Sequence, residues 1–198
     1  MTANLVRPRL RALALLLAAA LLAAAATVFA EIRSAAPGAS AATAGIVHVY
    51  VKVTGQKTGV FKGDSTQKGH QDDIAVLAYH FELDSPRDAS TGLPTGKRQY
   101  QPVRITHELD TASPQFLQAA ATNENLKSVV INFWKTDRTG KEINFYRVTL
   151  TNASIASVRQ DTAGSTVDEE ESFTFQKIEQ ENLVGQTLFE DDFQAPLG

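Results

Sequence analysis

The segment Ile46-Val47-His48-Val49-Tyr50-Val51-Lys52-Val53 alternates strictly, with valine at every odd position. A period of two puts those valines on one face of a strand and leaves a mixed face opposite, a pattern no helix can use. One strand cannot bury an apolar face alone, so this segment obliges others of its kind to pack with it. Ile74 to about Leu83 reads as a second strand, and Gln101 to Leu109 as a third with Val103, Ile105, His107 and Leu109 on one face. Ser128–Lys135 and Glu142–Thr151 flank the polar turn Thr136-Asp137-Arg138-Thr139-Gly140 and form a hairpin. Ser154–Arg159 is a further strand, and Glu170–Glu179 closes the set with Phe173, Phe175 and Ile178.

One helix interrupts the strands. Ser113-Pro114 supplies an N-cap and a favoured first residue, Phe116, Leu117 and Ala120 give an apolar side, and the helix ends near Asn123. Two stretches lack periodicity. Gly55–Gly69 is rich in turn residues, and Asp84–Gln99 holds Pro86, Gly92, Pro94 and Gly96. A loop of the second kind is functional or disordered in most proteins. Asp161–Gly164 is a shorter loop. The expected fold class is mainly β, a small β-barrel or sandwich with one short α-helix.

The strands start only after a different kind of sequence. Arg7-Pro8-Arg9-Leu10-Arg11 is basic, Ala12–Ala26 is unbroken Leu and Ala, and Val28 and Ala30 are compact residues at the positions a signal peptidase reads. Residues 1–30 are expected to be a signal peptide cut near Ala30. The competing reading is a retained anchor, since the apolar run is nearly long enough to span a bilayer, although Ala inserts weakly. In either case the domain is expected on the far side of the membrane, which it meets only through this N-terminal segment. Residues 31–44 are mostly small, with Pro37 and Gly38, and read as a flexible linker. The expected domain spans 45–182, and 183–198, including Glu190-Asp191-Asp192, reads as a solvated acidic tail.

The chain has no cysteine, which excludes disulfides, thiol catalysis and thiolate metal sites. Its net charge of −3 becomes −6 without residues 1–30, because three arginines leave and no acid does. An acidic domain argues against nucleic acid as a partner, since binding without sequence preference needs cationic surface.

Several fragments imitate active sites. Gly63-Asp64-Ser65 looks like an esterase nucleophile block, but no histidine lies beyond His107 to serve it, so a turn is the better reading. Gly92-Leu93-Pro94-Thr95-Gly96-Lys97-Arg98 is one residue short of a phosphate-binding loop and has Arg98 where Ser or Thr should bind Mg. His80-Phe81-Glu82 has the H-x-E of zinc deaminases without their cysteine pair. His70 with Asp72 and Asp73 has metal-binding residue types, in a polar loop where such groupings arise by chance. His48 and His107 stand singly in strands, and Phe133-Trp134 reads as core or interface. Asp168-Glu169-Glu170-Glu171 lacks the spacing of a calcium loop and reads as a solvated strand entrance. Asn152-Ala153-Ser154 fits a glycosylation sequon. None of these predicts a catalytic, cofactor-binding or metal-binding site, and no cofactor is expected.

The order of segments is more specific. His48-Val49-Tyr50-Val51-Lys52-Val53 is followed by Gly63-Asp64-Ser65-Thr66-Gln67-Lys68-Gly69-His70, then Ile74-Ala75-Val76-Leu77-Ala78-Tyr79. After the long loop come Gln101-Pro102-Val103-Arg104-Ile105 and Leu109-Asp110-Thr111-Ala112-Ser113-Pro114-Gln115-Phe116-Leu117-Gln118-Ala119, and finally Glu170-Glu171-Ser172-Phe173-Thr174-Phe175-Gln176-Lys177-Ile178. This succession resembles the Hcp (haemolysin-coregulated protein) family, the tube subunit of bacterial type VI secretion, over nearly all of residues 45–180. The resemblance implies a small β-barrel with one helix that assembles into hexameric rings. Such rings stack into a hollow tube that can carry effector proteins and is expelled by a contracting sheath. It also implies that the loop at about Ser85–Arg98 reaches the neighbouring ring.

The residues agree with a ring, whose subunits need two different contact faces. Ile143-Asn144-Phe145-Tyr146-Arg147-Val148 has apolar residues on both faces, more than one small core requires. The leader departs from the family, whose subunits lack signal peptides and assemble in the cytoplasm. A tube or ring subunit that binds itself and effector cargo, and is not an enzyme, is therefore the first expectation. An exported Hcp-like carrier or binding module, secreted or periplasmic if the leader is cleaved, is the alternative. A secreted hydrolase using Ser65, or a metal held by His70, Asp72 and Asp73, is a distant third.

Overall fold

A computed structural model describes residues 47–193; the leader and linker expected at 1–44 lie outside them. Among the described residues are eleven strands and one helix. In chain order they are β1 (Val47–Gly55), β2 (Ile74–Val76), β3 (Ala78–His80), β4 (Leu83–Asp84), β5 (Gln99–Tyr100), β6 (Val103–Glu108) and α1 (Ser113–Ala121). They continue with β7 (Leu126–Thr136), β8 (Glu142–Ala163), β9 (Thr166–Thr174), β10 (Lys177–Asn182) and β11 (Thr187–Asp192).

Nine strands form one sheet in the order β2-β1-β7-β8-β9-β6-β3, with β10 on β8 and β11 on β10. All its pairs are antiparallel. The sheet turns two corners by sharing strands. The first half of β8 pairs with β7 and β10, and its second half with β9. At the bend Asn152 has φ 50, and the β8–β9 register shifts between Ile155 and Ser157. The other corner is the β2–β3 segment, which pairs with β1 before Leu77 and with β6 after it. The Leu77 N–H donates to the Thr106 carbonyl at 2.8 Å. The expected barrel is thus an open ladder, whose two ends are joined covalently at Leu77 rather than by hydrogen bonds.

The alternation in β1 buries Val51 and Val53, as its period requires, but leaves Val47 exposed at the end of the strand. These valines share one core with Ile74, Val129, Ile131, Val148, Leu150 and Ile178, and with Val103, Ile105 and Phe173 from the other half of the sheet. The helix adds Phe116, whose ring lies 5.2 Å from Phe61 and 6.3 Å from Phe173.

Four expectations need correction. Ser113 is the first helical residue and not the cap; Ala112 holds that position without a side-chain bond. The Asp110 carboxylate accepts the Ala112 N–H at 2.8 Å, and Ser113 Oγ accepts the Asp110 N–H at 3.1 Å, so the turn is set from upstream. The strands expected at 142–151 and 154–159 are one, and β8 runs on through most of the loop expected at 161–164, because a bend at Asn152 redirects the ladder without ending it. The closing strand is two, β9 and β10. The stretch read as an acidic tail contains β11, paired with β10 from Lys177↔Asp192 to Asn182↔Thr187. Its charges are matched by cations distant in sequence: Lys177 Nζ lies 2.9 Å from Glu190, and Arg98 pairs with Asp191.

Candidate functional site

The long aperiodic stretch folds as an exposed arm. At its base β4 and β5 pair Leu83↔Tyr100 and Asp84↔Gln99, and further out Arg87 bridges Pro94. The tip closes through Asp88. Its N–H donates to the Leu93 carbonyl at 2.8 Å, and its carboxylate accepts the Ser90 and Thr91 hydroxyls at 2.6 and 2.9 Å and their N–H groups at 3.0 and 2.8 Å. Those bonds, the Ser90 hydroxyl first, hold the Asp88 carboxyl down at about 2. Gly92 has φ 72, which suits a glycine at the tip. The residues that resembled a phosphate-binding loop are the returning side of this arm.

The foot of the arm is fixed to the body by two means. Arg98 donates from both Nε and Nη2 to Asp191, and the Tyr100 hydroxyl donates to the same carboxylate at 2.7 Å. The Arg98 guanidinium beside it holds Asp191 below the usual carboxylate range. Around this polar knot, Tyr100 packs edge-on against Phe175 and Phe193, with ring centroids 5.5 and 5.2 Å apart. Sequence reasoning identified the arm but missed its anchor, because Asp191 and Phe193 lie in the supposed tail.

A second grouping is buried. On β6 and β9, His107 pairs with Glu169 in register, so both face inward, followed on β9 by Glu171 and Phe173. Glu169 and Glu171 are 0% exposed and His107 is 1% exposed. The strand entrance read as solvated therefore sends two of its acids into the core. His107 Nδ1 lies 2.7 Å from the Glu108 carbonyl, and since a carbonyl only accepts, that nitrogen carries the proton. Nε2 then faces Glu171 Oε1 at 3.1 Å and Glu169 Oε1 at 3.7 Å. Burial pushes the Glu171 carboxyl up to about 7. Burial acts to lower His107, but its hydrogen bond to Glu171 and the charges of Glu171 and Asp110 outweigh it and raise the imidazole above its ordinary value. Sequence reasoning set His107 aside as a lone strand histidine; its partners lie about sixty residues away, where no local spacing connects them.

The other candidates are dispersed. His70 is buried between Tyr50, stacked at 4.0 Å, and Trp134, edge-on at 4.8 Å, and its nitrogens lie 3.3 Å from Asp73 and Glu142. Asp72, which is grouped with His70 and Asp73 in the sequence, lies in solvent 3.5 Å from Lys62. Gly63, Asp64 and Ser65 run beside Asp72 and Asp73, with Gly63 and Ser65 donating their N–H groups to the Asp72 and Asp73 carbonyls at 2.9 and 3.3 Å; Asp64 accepts the Thr111 hydroxyl. This is a turn, as expected, and no histidine among the described residues bonds Ser65. His80 and Glu82 lie 3.3 Å apart on the surface. Phe133 packs edge-on against Tyr79 and Tyr146 at 5.2 and 5.8 Å. Asn152 donates to Gln176 at 2.8 Å. A surface groove of about 370 Å³ runs between Asp64, Ser65, Ala75, Leu77, Glu108 and Leu109. No helix among the described residues is long and apolar enough to cross a membrane.

Known proteins share this architecture. The sequence model described as "Type VI secretion system effector, Hcp" matches residues 50–181. The "Major exported protein" of Pseudomonas aeruginosa is 32% identical over 165 residues, covering 75% of this chain and 96% of that protein. A double mutant of the Hcp1 protein from E. coli EAEC 042 superposes with a TM-score of 0.70 at 25% identity, covering 75% of this chain and 99% of its own. The secreted protein Hcp3 of Pseudomonas aeruginosa superposes at 0.65 and 27% identity, covering 76% and 100%.

Proposed function

Because the chain belongs to the Hcp family of type VI secretion proteins, we propose that it works by assembly, as a subunit of hexameric rings that stack into a tube. The single observation that carries this reading is agreement along the whole domain with solved Hcp proteins, 75% of this chain against 99% of the E. coli protein. The surface supports it. Val60, Leu77, Leu93 and Val184 stand mostly in solvent and Leu117 is about half exposed, apolar side chains that contact faces between subunits can cover. Two different faces of each subunit cover these side chains when a ring closes by rotation. The anchored arm at residues 85–98 is suited to reach an adjacent ring, since its foot is fixed and its tip, with Leu93, is exposed. Effector proteins are the partners a ring of this kind carries, and its function needs no catalytic residue.

Residues 1–30 favour a second reading, in which the ring is exported and serves outside the cytoplasm as a carrier. Sedimentation of the purified full chain tests the first reading: a hexameric mass is expected, and a monomer at high concentration would overturn it. N-terminal sequencing of the native protein tests the second. A start after Ala30 is expected for a released exported ring, and a start at Met1 removes cleavage and leaves only a ring anchored through residues 1–30.

A further inference from the structure

The buried grouping on β6 and β9 is unbalanced as built. Two carboxylates and one imidazole are enclosed, and among the described residues no arginine or lysine is paired to them. Ionised carboxylates in such a place are costly unless a cation or a proton compensates them. The pattern of hydrogen bonds shows which atoms lack compensation. The outward atoms are held: His107 Nδ1 by the Glu108 carbonyl at 2.7 Å, with Asp110 at 3.8 Å, and Glu169 Oε2 by the Gln160 amide. Among the inward atoms, His107 Nε2 and Glu171 Oε1 meet each other at 3.1 Å, and Glu169 Oε1 and Glu171 Oε2 are buried without a hydrogen-bond partner. Partnered outer atoms that orient unpartnered inner ones are what metal ligands require of the groups behind them.

The spacing also fits a metal. One ligand atom from each residue lies within 4.8 Å of the other two. His107 Nε2 is 3.1 Å from Glu171 Oε1 and 3.7 Å from Glu169 Oε1, and two ligands on one ion at bonds of about 2.1 Å sit at most about 4.2 Å apart. When Nδ1 keeps its proton and the ion takes the place of any proton on Nε2, the imidazole is a neutral ligand beside two carboxylates, and a dication makes the whole group neutral. An imidazole among the ligands favours a first-row transition ion over calcium or magnesium, which prefer oxygen alone. We propose that His107 Nε2 and the carboxylates of Glu169 and Glu171 bind one divalent transition cation of the Zn²⁺ or Mn²⁺ kind, a structural site that clamps β6 to β9. The site is closed to solvent, so the ion enters as the domain folds and adds its binding energy to the folded state.

The test uses the full chain, unfolded with chelator and refolded with or without Zn²⁺ or Mn²⁺, then desalted. Mass spectrometry for metals should find about one ion per chain, and the melting temperature should rise with it. Glu169→Gln and Glu171→Gln keep the side-chain volume and should each lose both the ion and the temperature rise. His70→Gln, at the other buried histidine, should lose neither. The proposal is overturned if the native chain retains no ion and shows no shift. Retention by Glu171→Gln, or loss through His70→Gln, overturns it too. If the glutamine variants do not fold, Co²⁺ in the native chain decides. Visible absorption of a four- or five-coordinate ion with a histidine ligand is expected, and its absence overturns the proposal.

Discussion

Arg98 donates from both Nε and Nη2 to the carboxylate of Asp191, joining the foot of an exposed arm to the last strand of the sheet. The fork geometry fixes direction as well as distance, which a single point charge would not do. Tyr100 and Phe193, packed 5.2 Å apart, keep the same two segments together by apolar contact. Cutting the polar link should therefore free the arm without unfolding the domain. In Asp191→Ala, trypsin is expected to cut at Arg87 or Lys97 severalfold faster, with the melting temperature nearly unchanged. Arg98→Lys should fall between the two, since it keeps charge and loses the fork. Cleavage of Asp191→Ala at the native rate would show that the aromatic contacts alone hold the arm.

Gly63 is fixed by its neighbours. A Cβ there would stand 2.5 Å from the Asp73 carbonyl oxygen and 2.7 Å from the Ile74 Cα, both backbone atoms that cannot swing aside. Gly63→Ala should destabilise the domain by about 1–3 kcal/mol, the usual cost of forcing atoms into a packed region. Gly96, in the arm, would meet nothing nearer than Pro86 at 3.9 Å. Gly96→Ala should leave stability unchanged or raise it by roughly 0.4–1 kcal/mol, through the entropy of the unfolded chain. Chemical denaturation of both variants checks the pair, and equal effects would remove the argument.

The helix has one large anchor. Phe116 is fully buried against Phe61, His107 and Phe173, whereas its neighbour Leu117 is 46% exposed. Phe116→Ala should cost about 3–5 kcal/mol, from lost transfer energy and the cavity left behind. Leu117→Ala should change stability by less than about 0.5 kcal/mol in the isolated subunit, as surface substitutions do. If Leu117→Ala also weakens the assembled ring, the exposed side of the helix is part of a contact face. Urea midpoints and sedimentation on the same samples separate these outcomes.

What was legible in the sequence follows from the range of the interactions. The alternation of β1, the β7–β8 hairpin and the Pro114 helix start are written in consecutive residues, and each stands about where the pattern puts it. The continuity of β8 was hidden because Asn152, at φ 50, reads as a break although the ladder resumes beyond it. Glu169 and Glu171 were read as solvated because acids on alternating positions look like a wet face; His107 reverses their direction from another strand. Strand β11 looked like a tail because the cations matching its acids come from Arg98 and Lys177. Local periodicity revealed the elements, and the long-range charge pairs set where the polar residues went.

Glu124 carries a pH signature of its own outside the buried grouping. Its Oε1 accepts the N–H groups of Lys57 and Thr58 at 2.6 and 2.7 Å, and its Oε2 accepts the Thr58 hydroxyl at 2.7 Å. The side chain thereby holds the turn after β1, where a Cβ at Gly55 would come within 2.4 Å of the same oxygen. These bonds, the Thr58 N–H first, hold the folded carboxyl below its ordinary value of 4.5. The unfolded chain then takes up the proton more readily than the folded one. The contribution of Glu124 is therefore complete above the ordinary value and is lost as pH falls through the lower, folded one. Glu124→Gln keeps one oxygen for the two N–H groups but removes the charge and faces the Thr58 hydroxyl with an amide donor, so it should be less stable than the native chain at neutral pH. That gap should narrow as both are acidified from about pH 6 to well below the ordinary carboxylate value, because the native carboxylate loses its advantage as it takes up a proton. Urea midpoints of the two proteins across that range give the result, and a gap that stays constant would mean that the charge of Glu124 does not hold the turn.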